Sequence, residues 1–183
     1  MESLSLAGGI VLRRPTTADI PGIFAVHGDP QSYQFDPQET HRDPEFTAGW
    51  LAPILQHWDE HRFGYWTALV PAGVLPTGVI AGMGGIRFHR TSGEQVLNVY
   101  FRFASAARGR GLAGSLLTAA IDWAADNLPG TDLVIRTRPA NAAALRVGER
   151  AGFADDGLDP DDPTMVILRL RQPQPTGSVA ERD

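Results

Sequence analysis

The sequence predicts a single α/β domain in which helices pack against a central sheet. Three observations support this class: segments that alternate apolar and polar residues, segments whose apolar residues recur at helical spacing, and a glycine-rich turn that joins the two kinds. With 183 residues, 43% hydrophobic and 20% charged, the chain has the size and composition of one globular domain. We place this domain at residues 1–171 and expect the polar segment 172–183 to be a disordered tail.

The first third of the chain predicts one strand and two helices. A strand is expected at 9–14, and Thr16 to Asp19 is typical of a helix start. Gly28-Asp29-Pro30 ends that helix. Apolar residues at helical spacing from Phe46 to Trp58 predict a second helix, in which Pro53 removes one hydrogen bond. We therefore expect a kink there, or two shorter helices.

The remainder predicts six strands and two helices. Gly82, Gly84 and Gly85 fall inside one of these strands and indicate a bulge or a close backbone contact. Asn141 and Gly152 fit the two ends of the last helix. The predicted strands are 63–70, 78–89, 97–103, 132–137, 153–154 and 164–170, and the helices are 112–128 and 141–152.

Composition excludes several kinds of function. The net charge of −5 argues against binding to nucleic acid or to a membrane surface, and mildly favours cationic substrates. The chain has no cysteine, which excludes disulfides, thiolate metal sites and an acyl-cysteine intermediate. Because there is neither a signal-peptide pattern nor a long apolar run, we expect a cytoplasmic protein. The Lys+Arg total of 16 is entirely arginine, which is typical of a high-G+C bacterium.

The most informative segment lies between the predicted strand 97–103 and the helix that follows it. It reads Arg108-Gly109-Arg110-Gly111-Leu112-Ala113. The first N–H groups of a helix have no internal partner and lie at the positive end of its dipole. Glycines allow a pyrophosphate to approach the main chain, and the two arginines add positive charge. The segment therefore predicts a phosphate-binding loop.

Two other interpretations of this loop stay open. Gly109, Gly111 and Gly114 also match the dinucleotide fingerprint, with Arg136 and Arg138 as a 2′-phosphate site for NADP. The residues Ala104-Ser105-Ala106-Ala107 separate the preceding strand from this loop, however, and about 70 residues remain after the glycines, too few for a dinucleotide fold. The other interpretation is an ordinary turn that begins a helix.

The spacing Arg108-x-x-Gly111-x-Ala113 resembles the acetyl-CoA pyrophosphate loop of the GNAT N-acetyltransferase superfamily. The segment from Asn141 to Phe153 resembles the second cofactor segment of that family, and the order of elements from about Gly9 to Leu170 is similar as well. The resemblance implies a mixed, mostly antiparallel sheet of about six to seven strands. This sheet would be splayed at strands 4 and 5 and flanked by about four helices. The segment 12–19 is similar to the branch that contains ribosomal-protein alanine N-acetyltransferases.

This resemblance implies direct acetyl transfer from acetyl-CoA to a primary amine, on a small molecule or a peptide N-terminus, in a ternary complex. Acetyl-CoA would be the cosubstrate, with no metal. A homodimer is left open. The alternatives are a non-catalytic CoA-binding or sensing domain and, more remotely, an NADP-binding module. The residues implied in cofactor binding are Phe101, Arg102, Phe103, Arg108, Gly109, Arg110, Gly111, Leu112, Ala113, Gly114 and Asn141.

The fourth predicted strand supplies the candidate catalytic residues. Asn98, Tyr100 and Arg102 share one face of it by parity. Asn98 falls near the position where relatives place a glutamate base; an amide cannot act as that base but can orient a substrate or a water. The family positions for a hydroxyl and a thiolate-protonating tyrosine hold Ala144 and Gly148, so we predict Tyr100 as the proton donor.

The general base is not assigned by the sequence. Four candidates lie in the loop before the second helix: Asp36, Glu39, His41 and Asp43. His57 and His61 are four residues apart on that helix and have no third metal ligand nearby in sequence. We interpret them as a solvated helix face, and Trp50 and Trp58 as core residues.

Overall fold

The computed structural model describes residues 3–6, 9–71, 73, 75–76 and 78–174, which form eight strands and four helices. The helices are α1 (Ile20–His27), α2 (Pro44–His61), α3 (Leu112–Asn127) and α4 (Ala142–Arg150). The strands are β1 (Ser3–Leu6), β2 (Ile10–Arg13), β3 (Tyr65–Leu69), β4 (Ile80–Thr91), β5 (Glu94–Phe103), β6 (Leu133–Thr137), β7 (Ala154–Leu158) and β8 (Val166–Leu170).

One sheet contains all eight strands, in the order β1-β2-β3-β4-β5-β6-β8-β7. Every neighbouring pair is antiparallel except β5 and β6. Their parallel register runs from Leu97 opposite Leu133 to Val99 opposite Ile135, although β5 continues to Phe103. The two strands thus part after Val99 and leave a V-shaped gap. The predicted mixed, mostly antiparallel sheet, splayed at the fourth and fifth predicted strands, is confirmed.

The alternation of side chains along β5 separates the core from a polar face. Leu97 and Val99 are buried in a cluster with the middle of α3, which contributes Leu117, Ala120 and Ala124. The intervening residues of β5 point to the opposite face of the sheet. Asn98 and Tyr100, at the start of the gap, therefore lie away from the α3 core.

Glycines in β4 allow the close approach of neighbouring main chains. A Cβ atom on Gly84 would lie 2.7 Å from the Tyr100 carbonyl oxygen and 2.7 Å from Leu116. A Cβ atom on Gly85 would lie 2.6 Å from the Gly64 carbonyl oxygen. The register between β3 and β4 also shifts next to Ala68. The predicted bulge or close backbone contact is confirmed.

Three expectations need correction. Helix α2 is one helix through Pro53 and not two shorter ones, and its apolar side, which includes Ile54 and Trp58, is buried. That packing offsets the roughly 3 kcal/mol cost of an internal proline. A further strand, β1, pairs with β2; its four residues are exposed or half-buried and give little apolar signal. Residues 175–183 of the predicted tail lie outside the described residues, but Gln172 is buried and its N–H donates to Asp132.

The interpretation of His57 as part of a solvated helix face is wrong. The side chain is buried between α2, the loop after it and β4. Its Nδ1 lies 2.9 Å from the Phe63 carbonyl oxygen, and its Nε2 accepts a hydrogen bond from the Phe88 N–H at 3.1 Å. Burial lowers the pKa of His57 from 6.5 to about 4, although the bond to Phe63 opposes the shift. His57 is therefore a neutral structural cross-link.

We expect His57→Phe to destabilise the protein by about 1–3 kcal/mol at pH 7, because it leaves a buried donor and a buried acceptor without partners. The loss should shrink as the pH falls. Since the folded pKa is lower than the unfolded one, the unfolded state binds more protons between about pH 6.5 and pH 4. The stability contributed by His57 is complete above that window and is lost through it.

Urea unfolding at pH 7 and pH 5 measures both effects. The matched control is His61→Phe, one turn along the same helix, where the side chain is 38% exposed. An equal loss for the His57 variant at both pH values would contradict the assigned role.

Candidate functional site

The loop before α3 presents an open, electropositive surface. Gly109 and Gly111 adopt left-handed conformations, with φ of 73° and 74°, which favour glycine. A Cβ atom on Gly109, Gly111 or Gly114 would meet nothing within 4 Å. No side chain caps the start of α3, and its first turn contains no acidic residue. The N–H groups there are available to an anion, so the loop fits a pyrophosphate.

The two arginines of this loop differ. Arg110 is exposed. Arg108 is exposed as well, but its Nε donates to the Phe103 carbonyl at 3.2 Å. Its terminal nitrogen donates to the Gln31 carbonyl at 3.1 Å and to the Ser32 hydroxyl at 3.2 Å. Arg108 therefore ties the loop to the chain that follows α1.

Residues 29–36, here called the α1–α2 segment, lie over the carboxyl ends of β5 and β6. The Ser105 hydroxyl donates to Asp29 at 3.0 Å, and Arg102 donates to the Ser32 carbonyl oxygen. At the other end of the segment, Asp36 accepts from Arg138, just after β6, at 2.9 Å. These contacts hold the segment across the mouth of the gap.

Tyr100, at the start of the gap, belongs to a group of side chains that also contains Arg102, Tyr33 and His27. Arg102 Nε donates to the Tyr100 hydroxyl at 3.0 Å, and its guanidinium lies 3.5 Å from the centroid of the Tyr33 ring. The Tyr33 hydroxyl is 2.9 Å from Nδ1 of the buried His27. Burial raises the pKa of Tyr100 above its ordinary 10, despite the nearby Arg102 cation, so the phenol stays protonated.

Asn98 lies in a second group at the apex of the gap. Its Nδ2 donates to the Tyr65 hydroxyl at 2.6 Å. Its Oδ1 is buried and has no partner among the described residues. Across the strand pair, Arg87 is in register with Asn98, and its guanidinium lies 5.4 Å from the centroid of the Tyr65 ring.

The candidates for the general base are mostly engaged in structural contacts. Asp36 pairs with Arg138, and Asp43 caps α2 by accepting from the Phe46 N–H at 2.6 Å. His41 is buried, and burial together with the Arg102 cation lowers its pKa to about 4. Glu39 is exposed. The geometry brings none of these groups to the apex of the gap.

The second predicted cofactor segment is α4, and its sequence departures have structural reasons. Asn141 caps the helix by accepting from the Ala144 N–H at 3.2 Å, and Ala144 is buried. A Cβ atom on Gly148 would lie 2.7 Å from Leu168 and 3.1 Å from Ile135. Because these neighbours are the terminal methyl groups of Leu168 and Ile135, a larger residue at this position requires those two side chains to move.

The NADP interpretation is wrong. A dinucleotide fold needs a largely parallel sheet, whereas β5 and β6 form the one parallel pair in the described sheet. The two arginines considered for a 2′-phosphate are also engaged, since Arg136 pairs with the buried Asp159 and Arg138 with Asp36.

Comparison with known proteins agrees with this geometry. The family model for the GNAT acetyltransferase domain matches residues 10–154. The chain belongs to the GNAT acetyltransferases. Enzymes of this family transfer an acyl group from acetyl-CoA. No curated protein sequence matched.

Among the described residues, no group of side chains is suited to hold a metal ion, and no helix is long and apolar enough to span a bilayer.

Solved structures with a similar fold include an acetyltransferase from Agrobacterium tumefaciens. That protein is 26% identical, with a TM-score of 0.75, over 94% of this chain and 95% of that one. A putative GNAT-family acetyltransferase from Bordetella pertussis is 21% identical, with a TM-score of 0.75, over 92% and 99% of the two chains. A ribosomal-protein-S5-alanine acetyltransferase from Vibrio fischeri is 16% identical, with a TM-score of 0.68, over 93% and 96%. The resemblance to this branch is thus supported at the level of the fold.

Sequence reasoning missed three residues of the candidate site. Tyr33 lies in a segment for which the sequence indicates only a loop, and Tyr65 lies in a predicted strand with no signal for a site residue. Arg87 could have been found from the hairpin register, because it faces Asn98 across the β4–β5 pair.

Proposed function

We propose that this GNAT domain is an N-acetyltransferase that moves an acetyl group from acetyl-CoA to a primary amine by direct transfer in a ternary complex. The proposal rests on the fact that the loop before α3, the gap between β5 and β6 and the polar side chains at its apex form one continuous path. An open phosphate loop at the start of α3 leads into the gap between β5 and β6, and the apex of that gap is lined by Asn98 and Tyr100.

In this arrangement the pyrophosphate binds the N–H groups of residues 109–114, beside Arg108 and Arg110. The pantetheine arm enters the gap and pairs with main-chain groups at 101–103, which β6 leaves unpaired. The thioester then reaches the apex. A main-chain N–H of β5 binds its carbonyl oxygen and stabilises the negative charge that develops during transfer.

Transfer forms a C–N bond and breaks the C–S bond. The ammonium first loses a proton to a base, the free amine attacks the thioester carbon, and CoA leaves as a thiolate that takes up a proton. Holding the two reactants together supplies most of the rate acceleration. Tyr100 donates the proton to the thiolate, with the Arg102 guanidinium stabilising the phenolate that forms, and Asn98 orients the amine.

A non-catalytic CoA-binding or sensing domain is the second candidate, favoured by the lack of the family's usual donor side chain at Gly148. Release of free CoA in the presence of an amine distinguishes the two. A chain that binds acetyl-CoA tightly and releases no CoA with any amine would support the sensing role.

We expect acetyl-CoA to stabilise the native protein by about 2.7 kcal/mol at a hundredfold excess over its dissociation constant. Gly114→Glu should abolish this effect, because it places a carboxylate where the pyrophosphate binds and where open space accommodates it without strain. Thermal denaturation and calorimetry measure the change. Gly49→Glu is the matched control, since it is also an exposed helical glycine with nothing within 4 Å. Unchanged affinity in a folded Gly114 variant would show that the loop is only a turn.

We expect no covalent acetyl-enzyme. The chain has no cysteine, and Ala144 replaces the nearest hydroxyl of the family pattern. Incubation with radiolabelled acetyl-CoA and no acceptor, followed by a denaturing gel, should leave the protein unlabelled. A labelled band that maps to a serine of the site would refute direct transfer.

We expect Tyr100→Phe to lower kcat by roughly tenfold to a thousandfold while acetyl-CoA affinity stays the same, because the ring remains and only the proton donor is lost. Burial raises the pKa of this phenol, so its ionisation should produce no alkaline limb in the pH–rate profile up to pH 10. A Tyr100 that only packs against the acceptor predicts the opposite split, a higher KM with kcat nearly unchanged. Steady-state kinetics with any accepted amine distinguishes the two.

A further inference from the structure

The acceptor side of the site contains an arginine without a counter-ion. Arg87 is half-buried on β4, and its contact with the described residues is the ring of Tyr65. It has no carboxylate within 4 Å and no hydrogen bond among those residues. Removing a guanidinium from water without replacing its hydrogen bonds is costly, so an arginine in this state is suited to an anion that arrives with a ligand.

Three other partly buried arginines of the described chain are paired with carboxylates, whereas Arg102, like Arg87, is not. Arg13 pairs with Asp19, Arg136 with Asp159 and Arg138 with Asp36. The chain has more carboxylates than arginines, with a net charge of −5, yet no carboxylate of the described residues pairs with Arg87. Asp159, which is fully buried, is already held by Arg136 and does not compensate Arg87.

The second observation is an orphaned acceptor next to this cation. Asn98 stands directly opposite Arg87 on the neighbouring strand, a position at which side chains of an antiparallel pair lie about 5 Å apart at their Cβ atoms. Its Oδ1 has no partner among the described residues and lies below the accessible surface, so a ligand reaches it only by displacing the side chains around it. Such an atom is satisfied by an N–H donor, which an ammonium or amine supplies.

From this juxtaposition we infer that the acceptor is a small amine that bears an anionic group beside the reacting nitrogen, as an α-amino acid does. The amine donates to Asn98 Oδ1 at the apex of the gap, and the carboxylate, or a phosphate in the same place, binds the guanidinium of Arg87. A peptide N-terminus has a neutral amide where this anion would stand. The inference rests on the proposed acetyl transfer and narrows its acceptor class.

The test compares acceptors that differ only in the anion. CoA release and product mass are measured for the full chain with acetyl-CoA and the proteinogenic amino acids, and then with the corresponding amino-acid amides. O-phosphoethanolamine is compared with ethanolamine in the same way, to separate a phosphate from a carboxylate preference. We expect kcat/KM to be about tenfold to a hundredfold higher for the preferred anionic acceptor than for its neutral partner, as a charged hydrogen bond provides.

Arg87→Gln should reduce this ratio to near one, because kcat/KM for the anionic acceptor falls, while acetyl-CoA affinity measured by calorimetry stays the same. Arg90→Gln is the matched control, because it removes the same charge from an exposed position on the opposite face of the same strand and should keep the preference. Equal kcat/KM for the anionic and the neutral acceptor in both comparisons with the wild type, or a preference that survives Arg87→Gln, would overturn the inference and leave acetyl transfer intact. Absence of turnover with every amine would overturn the proposed function as well.

Discussion

The parting of β5 and β6 after Val99 is the constraint on which the rest of the site depends. Two neighbouring strands that separate leave main-chain N–H and C=O groups without partners, and such groups are costly unless something else binds them. Here the unpaired stretch of β5 lies between the phosphate loop and the polar face at Asn98 and Tyr100. One departure from regular pairing thus provides both a slot for an extended ligand and the hydrogen bonds that hold it.

The net charge of the chain does not predict the charges of the side chains around this gap. A net charge of −5 mildly favours cationic substrates, yet the polar face contains Arg87 and Arg102, neither of which is paired with a carboxylate among the described residues. The acidic residues that make the net charge negative have structural contacts in other parts of the protein. Several of them pair with arginines or cap helices, as Asp19, Asp36 and Asp43 do.

Much of the fold was predictable because it follows from local patterns. The periodicity of α3, the alternation of β5 and the stop at Gly28-Asp29-Pro30 each depend on a few neighbouring residues, and the structure has these elements nearly where the sequence predicts them. Long-range packing was not predictable. Continuous α2 depends on the burial of Ile54 and Trp58, and the structural role of His57 depends on Phe88, 31 residues away.

The candidate site divides in the same way. The phosphate loop is contiguous in sequence, so its glycines and arginines could be recognised together. The proposed acceptor side is assembled from α1, the α1–α2 segment, β3, β4 and β5. Its members Tyr33, Tyr65 and Arg87 have no common sequence signal, because they become neighbours only through the register of the sheet and the path of the loop above it.

Helix α3 also determines how the two parts of the sheet stay together. Within the described residues, three residue pairs join β5 to β6, so the backbone ladder contributes little cohesion between β1–β5 and β6–β8. The first turns of α3 insert Leu112 and Leu116 into the core cluster beneath β2–β4, and its later turns insert Leu117 and Ala120 into the cluster that includes β6 and β8. Helix α3 therefore packs against both parts of the sheet and connects them across the gap. A ligand that binds the N-terminus of α3 therefore also stabilises the association of the two parts of the sheet. By the same linkage, separation of the two parts weakens binding of that ligand.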